Sequence, residues 1–478
     1  METTTRPQAH MLALGLALLS LAFFALNIDF LMRGDATTYA TYALLGKFDD
    51  ITLHNGYYFL MYAVQRWLAH PLGIPVHETL AWVNVLFGAI GTVLVFRLIE
   101  ELIGNRAVSV AAAVLFMVSG RVIMNATSSE IYMMQTVFVL LSMLCYARSR
   151  PFSAGISAGI ALLVSPLSAF AFLFFPAWEL TRKDGVQWKT FGVFVLAGTL
   201  VYAPYLLTCW RELFWGRRGL LVVREAARMD LSLLAVNTLK YQFKHYTALW
   251  LLMIPAVIHW REQRRFAWIS LATVLPHLYI VAKLTTEDHT FLLNADAFIC
   301  AWMALGAFVL VRDRRFRWLA PVPLVLHLGL YLRAGMLFSG EHNKGYADEL
   351  KRIAQTHIVG KAAVMITDWD VAIAMTHFGR TAVNSIPEKD PLFKQMYDLT
   401  TDVGPWPSLD GVDLYLLDTW SPSPINRMLR SPESLAALQQ SMSVRRMAEA
   451  RLGIACEEMA HLTHTLYKCE RTGAPLTP

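Results

Sequence analysis

The sequence predicts a multi-span α-helical membrane protein that ends in a small extracytoplasmic α/β domain. Three observations support this: the composition, the recurrence of apolar stretches long enough to cross a bilayer, and a change in pattern near Gly335. Of the 478 residues, 55% are hydrophobic and 16% are charged, and the mean hydropathy is +0.41. Soluble domains carry about a quarter charged residues, so the composition indicates an integral membrane protein. The net charge of +6 follows the topology and does not indicate a nucleic-acid partner.

The predicted spans are apolar over lengths that match the roughly 30 Å hydrocarbon core of a bilayer. The first, Met11 to about Met32, is too long for the apolar region of a signal peptide, so we interpret it as a retained helix. The stretch 153–181 would be about 43 Å long as one helix at 1.5 Å per residue. Because Ser165-Pro166 also interrupts it, we predict a hairpin of two short helices there. With this hairpin the total is about eleven spans; the other stretches are 79–101, 107–123, 130–147, 187–207, 246–260, 266–283, 290–311 and 318–333.

The hairpin places the basic clusters between spans on one face of the membrane. The positive-inside rule makes that face cytoplasmic and puts the N-terminus on it as well. We therefore predict a multi-pass protein of the cytoplasmic membrane. The clusters are Arg97/Arg106, Arg148/Arg150, Arg182/Lys183/Lys189, Arg261/Arg264/Arg265 and Arg312/Arg314/Arg315/Arg317.

From about residue 335 onward, polar helical patterns alternate with short apolar runs, which is typical of a small α/β domain. We therefore divide the chain into a transmembrane domain, 1–334, and an extracytoplasmic domain, 335–478. The predicted strands are the apolar runs Ala362–Thr367, Val412–Asp418 and Thr463–Cys469. Cys456 and Cys469 are the only cysteines in this part, and an oxidising compartment allows them to pair. Two free thiols are the alternative.

An acidic side chain, Asp35, follows the first span and is the first candidate for a catalytic role. A carboxylate at the mouth of a helical membrane bundle is costly to place there, so it usually serves a function. The segments that follow it, 37–48 and 57–68, are rich in Tyr, Phe and Trp. They predict amphipathic helices that lie at the membrane interface.

Between these two helices the chain reads Asp50-Ile51-Thr52-Leu53-His54-Asn55-Gly56. Thr52 or Asn55 is a candidate helix cap. His54, at a helix N-terminus, is placed to meet a phosphate group, because free N–H groups there favour anions. The simpler interpretations are a solvated loop for Asp50 and a capping or packing role for His54.

The second external turn contains Ser128-Ser129-Glu130-Ile131-Tyr132. Ser128 or Ser129 can cap the next helix, with Glu130 complementing its dipole. The functional interpretation has Glu130 and Tyr132 facing the pocket of Asp35, as a second acid and a hydrogen-bonding partner.

Two further external segments are polar. The loop 208–245 is external in this topology yet basic, and it interleaves arginines with aromatic residues. It predicts either contact with anionic lipid headgroups or a clamp on a lipid-linked phosphate, for which Arg offers bidentate geometry. The candidate phosphate ligands in it are Arg217, Arg218, Lys240 and Lys244. The second segment holds Glu287 and His289, with Asn294 and Asp296 continuing into the following helix; these side chains are candidates for substrate contact or for structural hydrogen bonds.

These motifs resemble the GT-C superfamily of membrane glycosyltransferases, and most closely its bacterial branch akin to protein O-mannosyltransferases. The pattern of that branch begins Asp-Ser-Gly-Glu, continues His-Pro-Pro-Gly and then Ala-Glu-Val-Tyr. The corresponding segments here are Asp35-Ala36-Thr37-Thr38, His54-Asn55-Gly56-Tyr57 and Ser129-Glu130-Ile131-Tyr132. The similarity covers residues 10–180 and the general order of spans followed by an external domain. Thr38 replaces the second acid of the pattern, and neither proline is present, so Asp50 or Glu130 stands in or the acceptor differs.

The resemblance implies a sugar donor on a polyprenyl phosphate and transfer, with inversion, to a hydroxyl of a lipid, glycan or protein acceptor on the outer face. Asp35 would be the general base, assisted by Glu130. His54 and the basic loop would hold the donor phosphate, and Asp50, Asn55, Tyr132, Glu287 and His289 would contact substrate. Members of the family differ in their need for a divalent metal such as magnesium or manganese, and these residues are compatible with either.

Two other functions fit the same layout. A transporter or flippase of a lipid-linked sugar would use the basic loop without needing Asp35 as a base, but the paired interrupted spans common in transporters are not evident. A non-catalytic cell-envelope assembly protein would bind through its external domain, where Asp368-Trp369-Asp370 is a candidate loop.

Overall fold

A computed structural model describes the helical part of the chain almost continuously and the C-terminal part in short pieces. The described residues are 6–29, 39, 43, 54–74, 76–215, 239, 242–284, 292–334, 337–338, 352–358, 362–366, 381–384, 413–418, 454–461 and 465–471. The chain forms two compact units. One comprises Met1–Ile28 and Tyr42–Phe338, and the other comprises Asp29–Thr41 and Ser339–Pro478.

The first unit is helical, and its helices follow the predicted apolar stretches. In chain order they are α1 (Arg6–Leu26), α2 (Asn55–Val64), α3 (Val76–Ile103), α4 (Arg106–Val118), α5 (Gly120–Thr127), α6 (Tyr132–Ala147), α7 (Pro151–Val164), α8 (Phe174–Leu180), α9 (Trp188–Trp215), α10 (Met253–Ile258), α11 (Arg264–Leu284), α12 (Leu293–Arg312) and α13 (Val322–Arg333).

Among the described residues, four helices are long and apolar enough to cross a membrane: parts of α1, α3, α9 and α12. Taking the bent pair α4–α5 as one span makes five. Two thirds of the apolar stretch is buried in α3 and in α12, against 22% in α1 and 17% in α9. The core of the unit therefore lies around α3 and α12, while α1 and α9 leave most of their apolar surface for lipid. The predicted total of about eleven spans stays a prediction.

The predicted break at Ser165-Pro166 is present. Helix α7 ends at Val164, Ser165 is extended (φ −157°, ψ 124°), and a 3-10 helix, Pro166–Leu173, leads into α8. Proline lacks the N–H that would continue the hydrogen-bond ladder of α7, and it disfavours a helical conformation in the residue before it. Two adjacent residues of the sequence therefore determine where α7 ends. The hairpin of two short helices stays a prediction.

The predicted span 107–123 is not one continuous helix in the structure, although it can still be a single broken span. It is interrupted at Ser119, and its two parts, α4 and α5, are bent by 62° relative to each other. Ser119 is extended and caps α5, since its Oγ accepts from the N–H of Val122 at 3.4 Å. This bend brings polar side chains from distant helices against α5, as described below.

The second unit contains a five-stranded mixed sheet. Its strands are β1 (Ala362–Ile366), β2 (Thr381–Asn384), β3 (Asp413–Asp418), β4 (Ile454–His461) and β5 (Thr465–Arg471). The spatial order is β2-β1-β3-β5-β4, with β1 parallel to β2 and β3, and with β5 antiparallel to β3 and β4.

Strands β1, β3 and β5 overlap the three predicted apolar runs. In β4 and β5, Cys456 lies opposite Cys469, and the two are joined by a disulfide. The bridge therefore links two neighbouring strands.

Candidate active site

The N-terminus of α2 lies against the end of α7. His54 occupies the N-cap position of α2, and its Nδ1 is 2.9 Å from the carbonyl oxygen of Val164. Because a carbonyl only accepts, this contact assigns a proton to Nδ1. Gly56 makes the approach possible, since a Cβ there would lie 2.9 Å from the carbonyl carbon of Leu163 and 3.0 Å from its oxygen. The His-x-Gly motif thus fixes an imidazole beside the Ser165-Pro166 break.

Helix α2 presents two different faces, as the amphipathic pattern of the sequence predicts. Tyr57, Tyr58 and Met61 are buried against the bundle. On the other side Phe59 is 67% exposed and Trp67, just beyond the helix, is 80% exposed. Large exposed aromatic side chains of this kind agree with the predicted position at the membrane interface, which stays a prediction.

The turn that carries Glu130 is held by Asn84, a fully buried residue of α3. Its Nδ2 donates to the carbonyl oxygens of Ser128, at 2.6 Å, and of Glu130. A single side chain therefore binds two carbonyls of the four-residue turn between α5 and α6. Because an unsatisfied buried carbonyl costs about 1–3 kcal/mol, this contact fixes the backbone of the turn.

Tyr57 connects α2 to this turn. It is fully buried, and burial together with the nearby Glu130 carboxylate raises the pKa of its phenol, against a smaller opposite effect of the neighbouring Asn84 side chain. Tyr57 therefore stays a neutral hydroxyl beside an acid. The half-buried Glu130 thus lies close to the helix that begins at His54.

The remaining predicted site residues fall into two groups. Asn55 is the first residue of α2, Tyr132 is the buried first residue of α6, and Lys244 lies in the helical residues 242–246. The Tyr331 hydroxyl donates to the backbone carbonyl of Lys244 at 2.9 Å. The structure thus brings His54, Asn55, Glu130 and Tyr132 to the ends of α2 and α6. The predicted residues that lie outside the described part of the chain are Asp35, Asp50, Arg217, Arg218, Lys240, Glu287 and His289.

The predicted helix caps are wrong where they can be compared. Ile131 holds the N-cap position of α6, and the hydroxyl of Ser128 donates back to the carbonyl of Met124 instead. Asn55 is the first helical residue of α2, so it does not cap that helix. The clamp by Asn84 explains the difference, because it holds Ser128 in the turn by its carbonyl.

The sequence did not predict a role for two sets of polar residues. Asn84 and Tyr57 look like ordinary members of an apolar helix and an aromatic segment. Arg121, in the middle of an apolar stretch, forms a fully buried ion pair with Asp296 of α12. A charge inside an apolar run is the signal that could have revealed it.

In the described part of the chain, no group of three or more His, Cys, Asp or Glu side chains is arranged to hold a metal ion.

No family model and no curated protein matches this sequence. Solved structures do match it. ArnT from Cupriavidus metallidurans, bound to undecaprenyl phosphate, is 12% identical, with a TM-score of 0.53 over 97% of this chain and 98% of that one. The oligosaccharyltransferase AglB from Archaeoglobus fulgidus, in complex with an inhibitory peptide and a dolichol-phosphate, is 13% identical, with a TM-score of 0.51 over 98% of this chain and 75% of that one. The apo form of the Archaeoglobus fulgidus oligosaccharyltransferase gives a TM-score of 0.53 at 12% identity, over 87% of this chain and 70% of that one.

At these identities the likeness establishes the fold alone. The chain has the GT-C fold of these structures and the long apolar helices of a membrane protein, which agrees with the fold that the motifs predicted. The closer relation to the protein O-mannosyltransferase branch stays a prediction.

Proposed function

We propose that the protein is a membrane glycosyltransferase that moves a sugar from a polyprenyl-phosphate donor to an acceptor hydroxyl. The observation that carries this proposal is the likeness of almost the whole chain to ArnT, a protein solved with undecaprenyl phosphate bound. AglB, a similar fold solved with dolichol-phosphate and a peptide, supports a lipid-linked donor and a separate acceptor. The acceptor is a lipid, a glycan or a protein.

In the proposed reaction, Asp35 takes the proton of the acceptor hydroxyl as the oxygen attacks the anomeric carbon of the sugar. The bond between that carbon and the phosphate oxygen breaks, and polyprenyl phosphate leaves with the bonding electrons. Attack from the side opposite the phosphate inverts the anomeric configuration. Glu130, as the second acid, orients the acceptor from its clamped turn.

The leaving phosphate gathers negative charge, which needs fixed donors and cations. His54 is proposed for this role together with Arg217, Arg218, Lys240 and Lys244. The contact with Val164 holds the imidazole of His54 in one orientation, so the ring need not reorganise during the reaction. Asp50, Asn55, Tyr132, Glu287 and His289 are proposed to contact the sugar or the acceptor, and no metal is assigned.

The reaction is placed at the extracytoplasmic face of the cytoplasmic membrane, with the N-terminus inside and residues 335–478 outside. The disulfide between Cys456 and Cys469 supports this orientation, because such bonds persist in oxidising compartments.

Mass spectrometry of lipids that co-purify with the wild type and with Asp35→Asn tests the proposal. Both proteins should hold a glycosylated polyprenyl phosphate, and only the wild type should discharge it when a pool of candidate acceptors is added. Asp184→Asn, a change of an exposed acid in the turn between α8 and α9, is the matched control and should behave like the wild type. Equal discharge by Asp35→Asn would remove Asp35 from the chemistry. A bound lipid that no variant discharges would favour a transporter, and the lack of any such lipid would favour an assembly protein.

A further inference from the structure

The bend between α4 and α5 is fixed by residues from a distant helix. The carbonyl oxygen of Val118, at the end of α4, accepts from Nε2 of His327 at 2.9 Å. Gly120, at the start of α5, lies directly beneath the hydroxyl of Tyr331, where any side chain would collide with it. His327 and Tyr331 both belong to α13, so one helix contacts both sides of the bend.

The next residue, Arg121, carries the strongest contact at the bend. Its Nη1 pairs with Oδ1 of Asp296, and both side chains are completely buried. The guanidinium carbon of Arg121 is also 5.9 Å from the centre of the Tyr246 ring. Asp296 lies in the first turn of α12, where the helix dipole favours a negative charge.

A buried ion pair is weak evidence for a role in stability. The cost of removing both charges from water often exceeds their attraction, and apolar replacements of similar volume are often as stable. Such a pair does impose a specific geometry on the two elements it joins. Arg121 and Asp296 are therefore better explained by what they position.

On one side, the pair positions the turn that contains Glu130. Helix α5 is short, about 12 Å for its eight residues at 1.5 Å per residue. Asn125 and Thr127 tie it internally by bonding to the carbonyls of Arg121, at 2.8 Å, and Ile123, at 2.7 Å. The far end of α5 runs into the turn held by Asn84. The helix is thus fixed at both ends, by Asp296 at one and by Asn84 at the other.

On the other side, Tyr331, which contacts the bend at Gly120, also contacts the end of the basic loop 208–245. The Tyr331 hydroxyl that lies over Gly120 donates to the carbonyls of Lys244, at 2.9 Å, and His245, at 3.2 Å. Tyr246, the next residue along the chain, faces Arg121. The ion pair therefore joins α5, the helix that leads to Glu130, to α12, and Arg121 also faces Tyr246, two residues after Lys244.

We propose that Arg121 and Asp296 are positioning residues, whose buried ion pair sets the bend between α4 and α5 and thereby holds the Glu130 turn at a fixed place relative to Lys244. The expected fall in kcat rests on the proposed function. The expected change in the position of α5 rests on geometry alone.

The test uses the double variant Arg121→Met with Asp296→Asn, which removes both charges and keeps side chains of similar volume. Since neither charge is left alone, we expect the variant to fold with a melting temperature close to that of the wild type. Because a misplacement of about 1 Å can cost about 100-fold in rate, we expect kcat to fall by roughly 10- to 100-fold. The donor KM should change by less than about threefold, since the phosphate ligands are retained.

A distance measurement makes the test independent of activity. Spin labels at Met124→Cys on α5 and Leu239→Cys, both at exposed positions, report how α5 lies relative to the end of the basic segment. Cys145 and Cys209 are replaced to avoid extra labels. We expect a single narrow distance between the two labels when Arg121 and Asp296 are present. In the Arg121→Met/Asp296→Asn variant we expect a broader or shifted distribution of that distance.

The matched control is Tyr146→Phe with Glu179→Gln, which removes another buried polar contact, at 3.0 Å, at the far end of α6. It should leave both the distance and kcat at wild-type values.

An unchanged distance or an unchanged kcat in the Arg121/Asp296 variant overturns the proposal. If that variant does not fold, Arg121→Lys, which keeps the charge but loses the planar guanidinium and its geometry, is expected to shift the distance and to lower kcat in the same direction by a smaller factor. If the wild type proves inactive, the proposed function fails, and the distance alone decides whether the ion pair sets the bend.

Discussion

Replacement of Gly56 by alanine tests the close contact between α2 and α7. The new Cβ would lie 2.9 Å from the carbonyl carbon of Leu163 and 3.0 Å from its oxygen. These are backbone atoms, so they cannot turn away as a flexible side chain would. Relief to an ordinary contact distance requires α2 to move by about 0.5 Å or more. The hydrogen bond from His54 to Val164 must then lengthen.

Two energies compete in this variant. Overpacking costs about 1–3 kcal/mol, while alanine is favoured over glycine in a helix by up to about 1 kcal/mol. The net loss of stability is about 0–3 kcal/mol, so the protein should still fold. The displacement of His54 should be more visible in turnover, and we expect kcat to fall by about tenfold, since misplacements of this scale are costly in catalysis.

The assay compares sugar transfer and the melting temperature of Gly56→Ala with those of Gly192→Ala. Gly192 lies in α9, and a Cβ there has no atom within 4 Å. This control should be slightly more stable than the wild type and equally active. Full activity of Gly56→Ala would refute the role of this contact in positioning His54. So would an equal loss of activity in both variants.

Three further predictions concern other contacts of the site and of the sheet. Asn84→Leu leaves the carbonyls of the Glu130 turn without their donor and should cost about 2–3 kcal/mol together with most of the turnover; an unchanged melting curve would contradict the clamp. Because the folded-state pKa of Tyr57 is raised, the folded protein keeps a proton that the unfolded chain loses above about pH 10, so stability should fall as the pH rises past that value. Tyr57→Phe should weaken this dependence in denaturation curves recorded between about pH 8 and 11, and an identical slope would count against a buried phenol. Replacing Cys456 and Cys469 by alanine opens a link between residues 13 apart and should cost the sheet about 2–3 kcal/mol, seen as faster proteolysis of residues 335–478; equal resistance would contradict it.

The sequence predicts features that depend on local chemistry. The break after Val164 follows from Ser165-Pro166, because proline cannot continue a helix. The strands β1, β3 and β5 follow from apolar runs between polar segments. The helices of the first unit follow from their apolar length, which is the main constraint on a chain in a membrane.

The sequence does not predict features that depend on residues far apart in the chain. The bend at Ser119 lies in a stretch that is apolar apart from Arg121. It depends on contacts with distant helices, those of Val118 and Gly120 with α13 and that of Arg121 with α12. Arg121 and Asp296 are 175 positions apart, so no local pattern joins them. The prediction of a helix cap at Ser128 or Ser129 was wrong for the same reason. The side chain of Asn84, from α3, determines the conformation of that turn.

The account rests on the claim that the protein itself releases a sugar from polyprenyl phosphate, with Asp35 as the base. The most direct measurement is a single-turnover reaction in lipid nanodiscs, in which both membrane faces are open and transport cannot contribute. Purified wild type and Asp35→Asn are loaded with an isotope-labelled glycosyl polyprenyl phosphate, and the free polyprenyl phosphate is counted after the acceptor pool is added. We predict release and an inverted product with the wild type, and at least a 100-fold slower release with Asp35→Asn, in the range expected for loss of a general base. Equal release by the two proteins, or none from the wild type with any acceptor, would contradict the account.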